Sequence, residues 1–160
     1  MENTNDKQFN DLEKAVLEWY VATYQDDNLT AQIKSAKPVK RDWTGHGFFT
    51  DLEVSNDLKP IDFSTLKMLG KSDELRTRSI DGPCFKPSDD IELGGGSVLF
   101  VMDGHIDCLE FFAIGHIFKE HVTNFELCDT LEGISIAPTS PSLTTSPMEK
   151  LKRVIGFFKK

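Results

Sequence analysis

The chain has 160 residues, and 18 Lys and Arg against 26 Asp and Glu leave a formal charge of −8 at pH 7. Its 39% hydrophobic content, with 12 Phe, excludes wholesale disorder and predicts one domain with a packed core. The acidity argues against a general nucleic-acid binder, because neutralising phosphates takes a basic face.

The opening stretch, residues 1–14, has no basic region followed by an apolar one, so no signal peptide is visible. No window approaches the ~18 apolar residues that cross a bilayer. The expectation is a cytoplasmic protein without a membrane partner. Three cysteines, Cys84, Cys108 and Cys128, are an odd number without close spacing, so reduced and mostly buried thiols are expected.

In chain order, Phe9, Leu12, Val16, Leu17, Tyr20 and Tyr24 recur at helical steps and predict an amphipathic helix. Asp11, Glu13, Lys14 and Glu18 fall on its wet side. After Asp26 and Asp27, residues 29–35 read as a second helix with Asn28 as N-cap, closed off by Pro38. The period then drops to two. Val39, Arg41 and Trp43 alternate with Lys40 and Asp42, and Phe48, Thr50, Leu52 and Val54 alternate with Phe49, Asp51 and Glu53, predicting a hairpin around Thr44-Gly45-His46-Gly47.

Residues 55–93 are broken by Asp57, Pro60, Gly70, Gly82, Pro83 and Pro87 and support only short strands or an edge cover. Residues 97–102 are apolar on both faces, as in a central strand. Asp103-Gly104 then predicts a type I′ turn, with residues 105–112 returning. Strict pairing from that turn sets Val101 opposite Ile106, Leu99 opposite Cys108 and Val98 opposite Leu109.

Residues 122–128 are a further strand candidate, and 129–146 read as a loop or strap rich in Thr, Ser and Pro. Ser146-Pro147-Met148-Glu149 is a capping box opening a helix over 147–159, with Leu151, Val154, Ile155 and Phe158 as its stripe. The fold class is α+β: one domain over residues 1–160, with a central antiparallel sheet of hairpins, N-terminal helices and a C-terminal helix.

Few motifs carry chemistry. Gly94-Gly95-Gly96 opens a strand rather than a helix and has no Lys-Ser or Lys-Thr after it, so it does not form a phosphate cradle. His105, Cys108, His116 and His121 can be drawn as a zinc set, yet only His116 and His121 have ligand-like spacing. Turn and surface histidines are the simpler reading, and no metal or cofactor is expected. There is no Gly-x-Ser-x-Gly elbow and no catalytic Cys/His signature.

Residues 103–132 hold seven acids against Lys119, a solvated face or a docking face for a basic protein. Arg41 and Glu110 each fall in register with apolar residues, where a lone ion is costly. They are expected either to pair or jointly line a pocket, or else to reach water at strand ends. The loop of His46, with Phe49 as its exposed aromatic, is a candidate protein-binding anchor. Residues 148–160 carry a net charge of +4, set against an acidic body.

Two tracts, residues 41–50 and 95–111, together resemble a group of short, uncharacterised bacterial proteins. That group pairs an R-x-x-T-G-x-G-F hairpin with a later G-x-x-L-F-V-x-D-G-x-x-x-x-L-E hairpin. Arg41, Gly45, Gly47, Phe48 and Glu110 carry over as framework. The layout is also similar to the SUKH superfamily, although its Trp-Gly and Leu-Pro signatures beside the first helix are absent. Members of that superfamily include immunity proteins that neutralise secreted toxins. The similarity to that superfamily implies a non-catalytic protein-binding domain, immunity- or antitoxin-like; the candidate binding residues, Arg41, His46, Phe49 and Glu110, come from the strand and loop patterns above. The alternatives are a small-molecule binder or enzyme using an Arg41/Glu110 cleft, and a homo-oligomer that exchanges its strap and last helix.

Overall fold

The computed structural model describes residues 7–64, 66, 77–115 and 117–129. The expected strap over 129–146 (beyond Asp129) and the helix over 147–159 lie outside the described residues.

The first helix, α1 (Asp11–Tyr24), starts where Asn10 and Glu13 close a capping box. The Glu13 N–H donates to the Asn10 side chain at 2.8 Å and the Asn10 N–H donates to the Glu13 carboxylate at 2.7 Å. Its stripe of Leu12, Val16, Leu17 and Tyr20 is buried as the periodicity requires. Glu13 is a correction: expected on the wet side, it is fully buried. The second helix, α2 (Asp27–Ser35), is capped by Asp26, whose carboxylate accepts from the Leu29 N–H at 2.7 Å. Asn28, the expected cap, instead donates to the Pro60 carbonyl.

Six strands follow: β1 (Lys37–Trp43), β2 (Gly47–Glu53), β3 (Thr77–Phe85), β4 (Gly95–Met102), β5 (His105–Ala113) and β6 (Leu127–Cys128). They form one sheet in the order β1-β2-β5-β4-β3-β6, antiparallel at every step. The fold is thus α+β. Both predicted hairpins are present, and the turn between β4 and β5 has Asp103 at φ 50° and Gly104 at φ 83°, as type I′ demands. The expected strand over 122–128 shrinks to β6. A nine-residue strand, β3, runs through the stretch that the breakers left undetermined. It accommodates Gly82 and Pro83 in a bulge between Asp81 and Cys84, where Pro83 forfeits no regular ladder bond.

Two further bulges decide which way side chains point. Beyond the turn the pairing slips by one residue at Asp107, so Phe100 faces Cys108, Leu99 faces Leu109 and Val98 faces Glu110. Only the expected Val101–Ile106 pair survives. A slip of one residue exchanges the two faces of a strand. Leu109 and Phe111 therefore turn into the core, and Cys108, Glu110 and Phe112 turn to the other side. In β1 the bulge falls at Val39, leaving Val39 57% exposed while Arg41 and Trp43 stay on the core side opposite Thr50 and Phe48.

The core lies between the helices and one face of the sheet. Phe48, Leu52, Ile80, Phe85, Leu99, Val101, Ile106, Leu109 and Phe111 meet Leu12, Val16, Tyr20, Leu29 and Ile33 there. Phe48 stacks on Phe111 at 4.5 Å between ring centres, and Trp43 packs on Phe48 at 4.8 Å while remaining part-exposed. Gln32, fully buried, ties α2 to this face. Its amide donates to the carbonyls of Lys59 and Gly104, and its side-chain oxygen accepts the Ile106 N–H. The opposite face of the sheet is covered by no element among the described residues.

Candidate functional site

The two charged residues singled out in the strands lie on opposite faces of the sheet. Arg41 sits opposite Thr50, which in turn sits opposite Leu109, so it points to the helix side. There its Nε donates to Glu13 Oε1 at 2.8 Å and its guanidinium donates to Glu13 Oε2 at 2.7 Å and to the Gln8 carbonyl at 2.6 Å. Thr50 Oγ1 adds a 2.6 Å bond to the same carboxylate. With Glu13 side chain at 0% and Arg41 at 10% exposure, this is a bidentate buried ion pair whose carboxylate is saturated with donors. The expected pairing of Arg41 with Glu110, or a pocket lined by both, does not form. Arg41 joins helix to sheet.

Glu110 belongs to the uncovered face. Across the strands it lies in a row with Asp42, Phe49, Val98 and Asp81. The next row is Lys40, Asp51, Cys108, Phe100 and Ser79, and a third brings Phe112, Gly96, Cys84 and Cys128 together. The middle of this face is apolar, with Phe49, Val98 and Phe100 half-buried, and Phe112 and Met102, toward its two ends, are 38% and 44% exposed. Phe112 leans over Gly96, where a β-carbon would fall 2.7 Å from its ring. Acids interrupt this surface.

Those acids act on one another. Burial raises the Glu110 carboxyl above its usual range, and burial followed by the Asp51 charge raises Asp107. Burial, then Asp51, Asp107 and Glu110, pushes the Cys108 thiol up to about 12. Such a thiol stays protonated at neutral pH, the opposite of what a nucleophilic cysteine requires. Glu110 makes no hydrogen bond or ion pair among the described residues. The Lys40–Asp42 pair, 2.7 Å apart and exposed, sits at the β1 edge. What this face offers is a band of part-exposed aromatics fringed with negative charge short of counter-ions.

His46 is exposed in the β1–β2 loop. Its carbonyl accepts the Ala113 N–H at 2.8 Å, which locks the loop onto the end of β5. Gly47, at φ 148°, passes so close to Phe111 that a β-carbon would meet its carbonyl oxygen at 1.9 Å, so the glycine is required there. Phe49 lies half-buried in the middle of the open face, in the same row as Glu110. Of the four candidate residues, the fold brings together Phe49 and Glu110. Arg41 lies behind them and His46 beyond one end.

The drawn zinc set disperses: both ring nitrogens of His105 lie within hydrogen-bond reach of backbone carbonyls, those of Asp103 and Leu58, whereas Cys108 sits on the open face. His121 lies in a loop past β5, and His116 lies outside the described residues. Among the described residues no three His, Cys, Asp or Glu side chains gather as a metal site. None of the three cysteines is in a disulfide, and all three are half-buried rather than buried.

One site went unanticipated. The buried Asp90 carboxylate accepts from Lys119 Nζ and from the backbone N–H groups of Thr123 and Asn124, each at 2.9 Å. The Lys119 bond first, and then the two N–H groups, hold this carboxyl well below the usual range. The Asp90 cradle clasps the 86–94 and 114–126 loops together at one end of the core, beside the Ile91–Phe118 bridge. Nothing in its spacing from Lys119 and Thr123 announces it, since all of its partners come from a distant loop.

Compared with known proteins, the chain has no significant match to a family model, a curated protein or a solved structure. No helix among the described residues is long and apolar enough to cross a membrane.

Proposed function

We propose that this chain is a non-catalytic protein-binding domain that presents the open face of its sheet to a partner with a basic surface. The observation that carries this reading is that face itself. Phe49, Val98, Phe100 and Phe112 supply desolvatable contact area, and Asp51, Asp107 and Glu110 supply charges that steer and orient a cationic partner. The carboxylates of Glu110 and Asp107 are already part-desolvated, so a Lys or Arg brought beside them gains more than it would at a fully wetted surface. An immunity- or antitoxin-like factor that holds a toxin in check by occupying its surface is the form of this function that the sequence resemblance favours. Arg41 serves in it as framework, and the cleft that an enzyme reading would need between Arg41 and Glu110 is replaced by the sheet itself.

The test is affinity capture of a partner from host lysate at low salt by the tagged protein, with identity and stoichiometry read by mass. A stoichiometric basic protein that is released as salt rises supports the reading. Elution of the domain alone, at every salt concentration, overturns it.

A further inference from the structure

The uncovered face of the sheet and residues 147–160 of the same chain are complementary in two independent ways. The first is charge. That segment carries Lys150, Lys152, Arg153, Lys159 and Lys160 against Glu149, a net +4 within a chain of −8, so residues 1–146 carry −12. On the open face, Asp51, Asp107 and Glu110 surround Cys108. The second is apolar surface. Leu151, Val154, Ile155 and Phe158 recur at helical spacing beside those cations. Phe49, Val98, Phe100 and Phe112 form a matching band between the acids. The outward side of α1 offers neither: its exposed positions include Asp11, Lys14 and Glu18 without an apolar band.

We propose that residues 147–160 dock on the open face of their own sheet, with the apolar stripe over Phe49, Val98 and Phe100 and the cations over Asp51, Asp107 and Glu110. The dimensions allow it. Asp129, the last described residue, is tied by the Trp19 indole at 3.1 Å beside the β6 edge. Residues 130–146 are 17 residues, which reach up to ~55 Å when extended. Six strands measure roughly 24 Å from first to last. A helix over 147–159 would be about 20 Å long, close to the width it has to cover. A tether of this kind holds the segment at an effective concentration on the order of millimolar, which favours its own sheet over that of another copy. A second copy packing sheet to sheet would instead set Asp51, Asp107 and Glu110 against the same acids.

The docked segment would occupy the surface assigned above to an external partner, making it an internal competitor for that partner. The docking itself does not depend on the partner reading.

The test is made on the full chain by amide NMR. The wild type is compared with K150E/K152E/R153E, all native cysteines retained. Shift changes at Phe49, Val98, Phe100, Cys108 and Glu110, with α1 and α2 unmoved, are expected. A nitroxide on Gly156→Cys, in a chain with Cys84, Cys108 and Cys128 changed to Ser, should remove more than half of the amide intensity at Phe49 and Glu110. That loss should disappear in high salt. Changes confined to residues 147–160, broadening over the helix layer, or broadening that appears only when labelled and unlabelled copies are mixed would each overturn the proposal. Should docking fail while the wild type still captures a partner, the protein-binding reading stands without it. Should docking hold and no partner be captured, the reverse is true.

Discussion

At the scale of single residues, Glu13 and Glu110 show how position decides what a carboxylate does. Glu13 closes the cap of α1 and holds Arg41 in a bidentate pair with Thr50 on the same oxygen. Glu110 is part-buried by its neighbours in the sheet and pairs with nothing described. Replacing Glu13 by Gln takes the bidentate carboxylate away from a buried guanidinium and is expected to cost about 3–5 kcal/mol. Glu110→Gln is expected to change stability by less than about 1 kcal/mol in either direction. Urea unfolding of the two variants checks the contrast. Equal losses would mean that Glu110 also has a buried partner. The sequence showed that Arg41 lies on an apolar face and needs a counter-ion. An amphipathic stripe cannot say that a charge beside it is met by a strand 28 residues away.

At the scale of elements, the bulges explain what pattern reading reached and what it missed. Helices α1 and α2, the two hairpins and the type I′ turn follow from local periodicity and turn chemistry, and these were legible. The slips at Val39 and Asp107 were not, because a bulge adds one residue without changing composition. Strand β3 was hidden by Gly82-Pro83, which read as breakers and in fact form a bulge. Its register has a chemical test. Cys84 and Cys128 face each other across β3 and β6, and Cys108 lies two strands away. An oxidant such as copper phenanthroline is expected to join Cys84 to Cys128 and leave Cys108 free, as peptide mapping would show. A bond to Cys108 would contradict the strand order.

The loop clasp at Asp90 gives a pH signature. Its carboxyl is held well below the usual range in the folded chain, against ~3.9 when unfolded. The stability it contributes is therefore complete above the unfolded value and is lost as pH falls toward the folded one. Melting temperatures from pH 7 down to pH 2 should fall less steeply below pH 4 for Asp90→Asn than for the wild type, from a lower starting point. Parallel curves would remove Asp90 from the acid limb.

At the scale of the whole molecule, the sheet is covered on one side and bare on the other among the described residues. Antiparallel sheets tolerate one solvated face, and such a face is usually polar. This one holds half-exposed Phe49, Phe100 and Phe112 among part-desolvated acids, which a face meant only for water does not need. The acidic balance was legible from composition, and the excess over residues 103–132 was visible as a local bias. Its placement was not, because the acids that matter come from β2 and β5 and meet only through strand pairing.

The most direct test of the binding face is therefore to reverse its charge and leave the fold alone. Asp51→Lys with Asp107→Lys should abolish capture of the partner while the melting temperature stays within a few degrees of wild type. Glu18→Lys, on the helix layer, should capture as the wild type does. Capture that survives reversal of the open face, or that is lost on reversing the helix layer, would contradict the account.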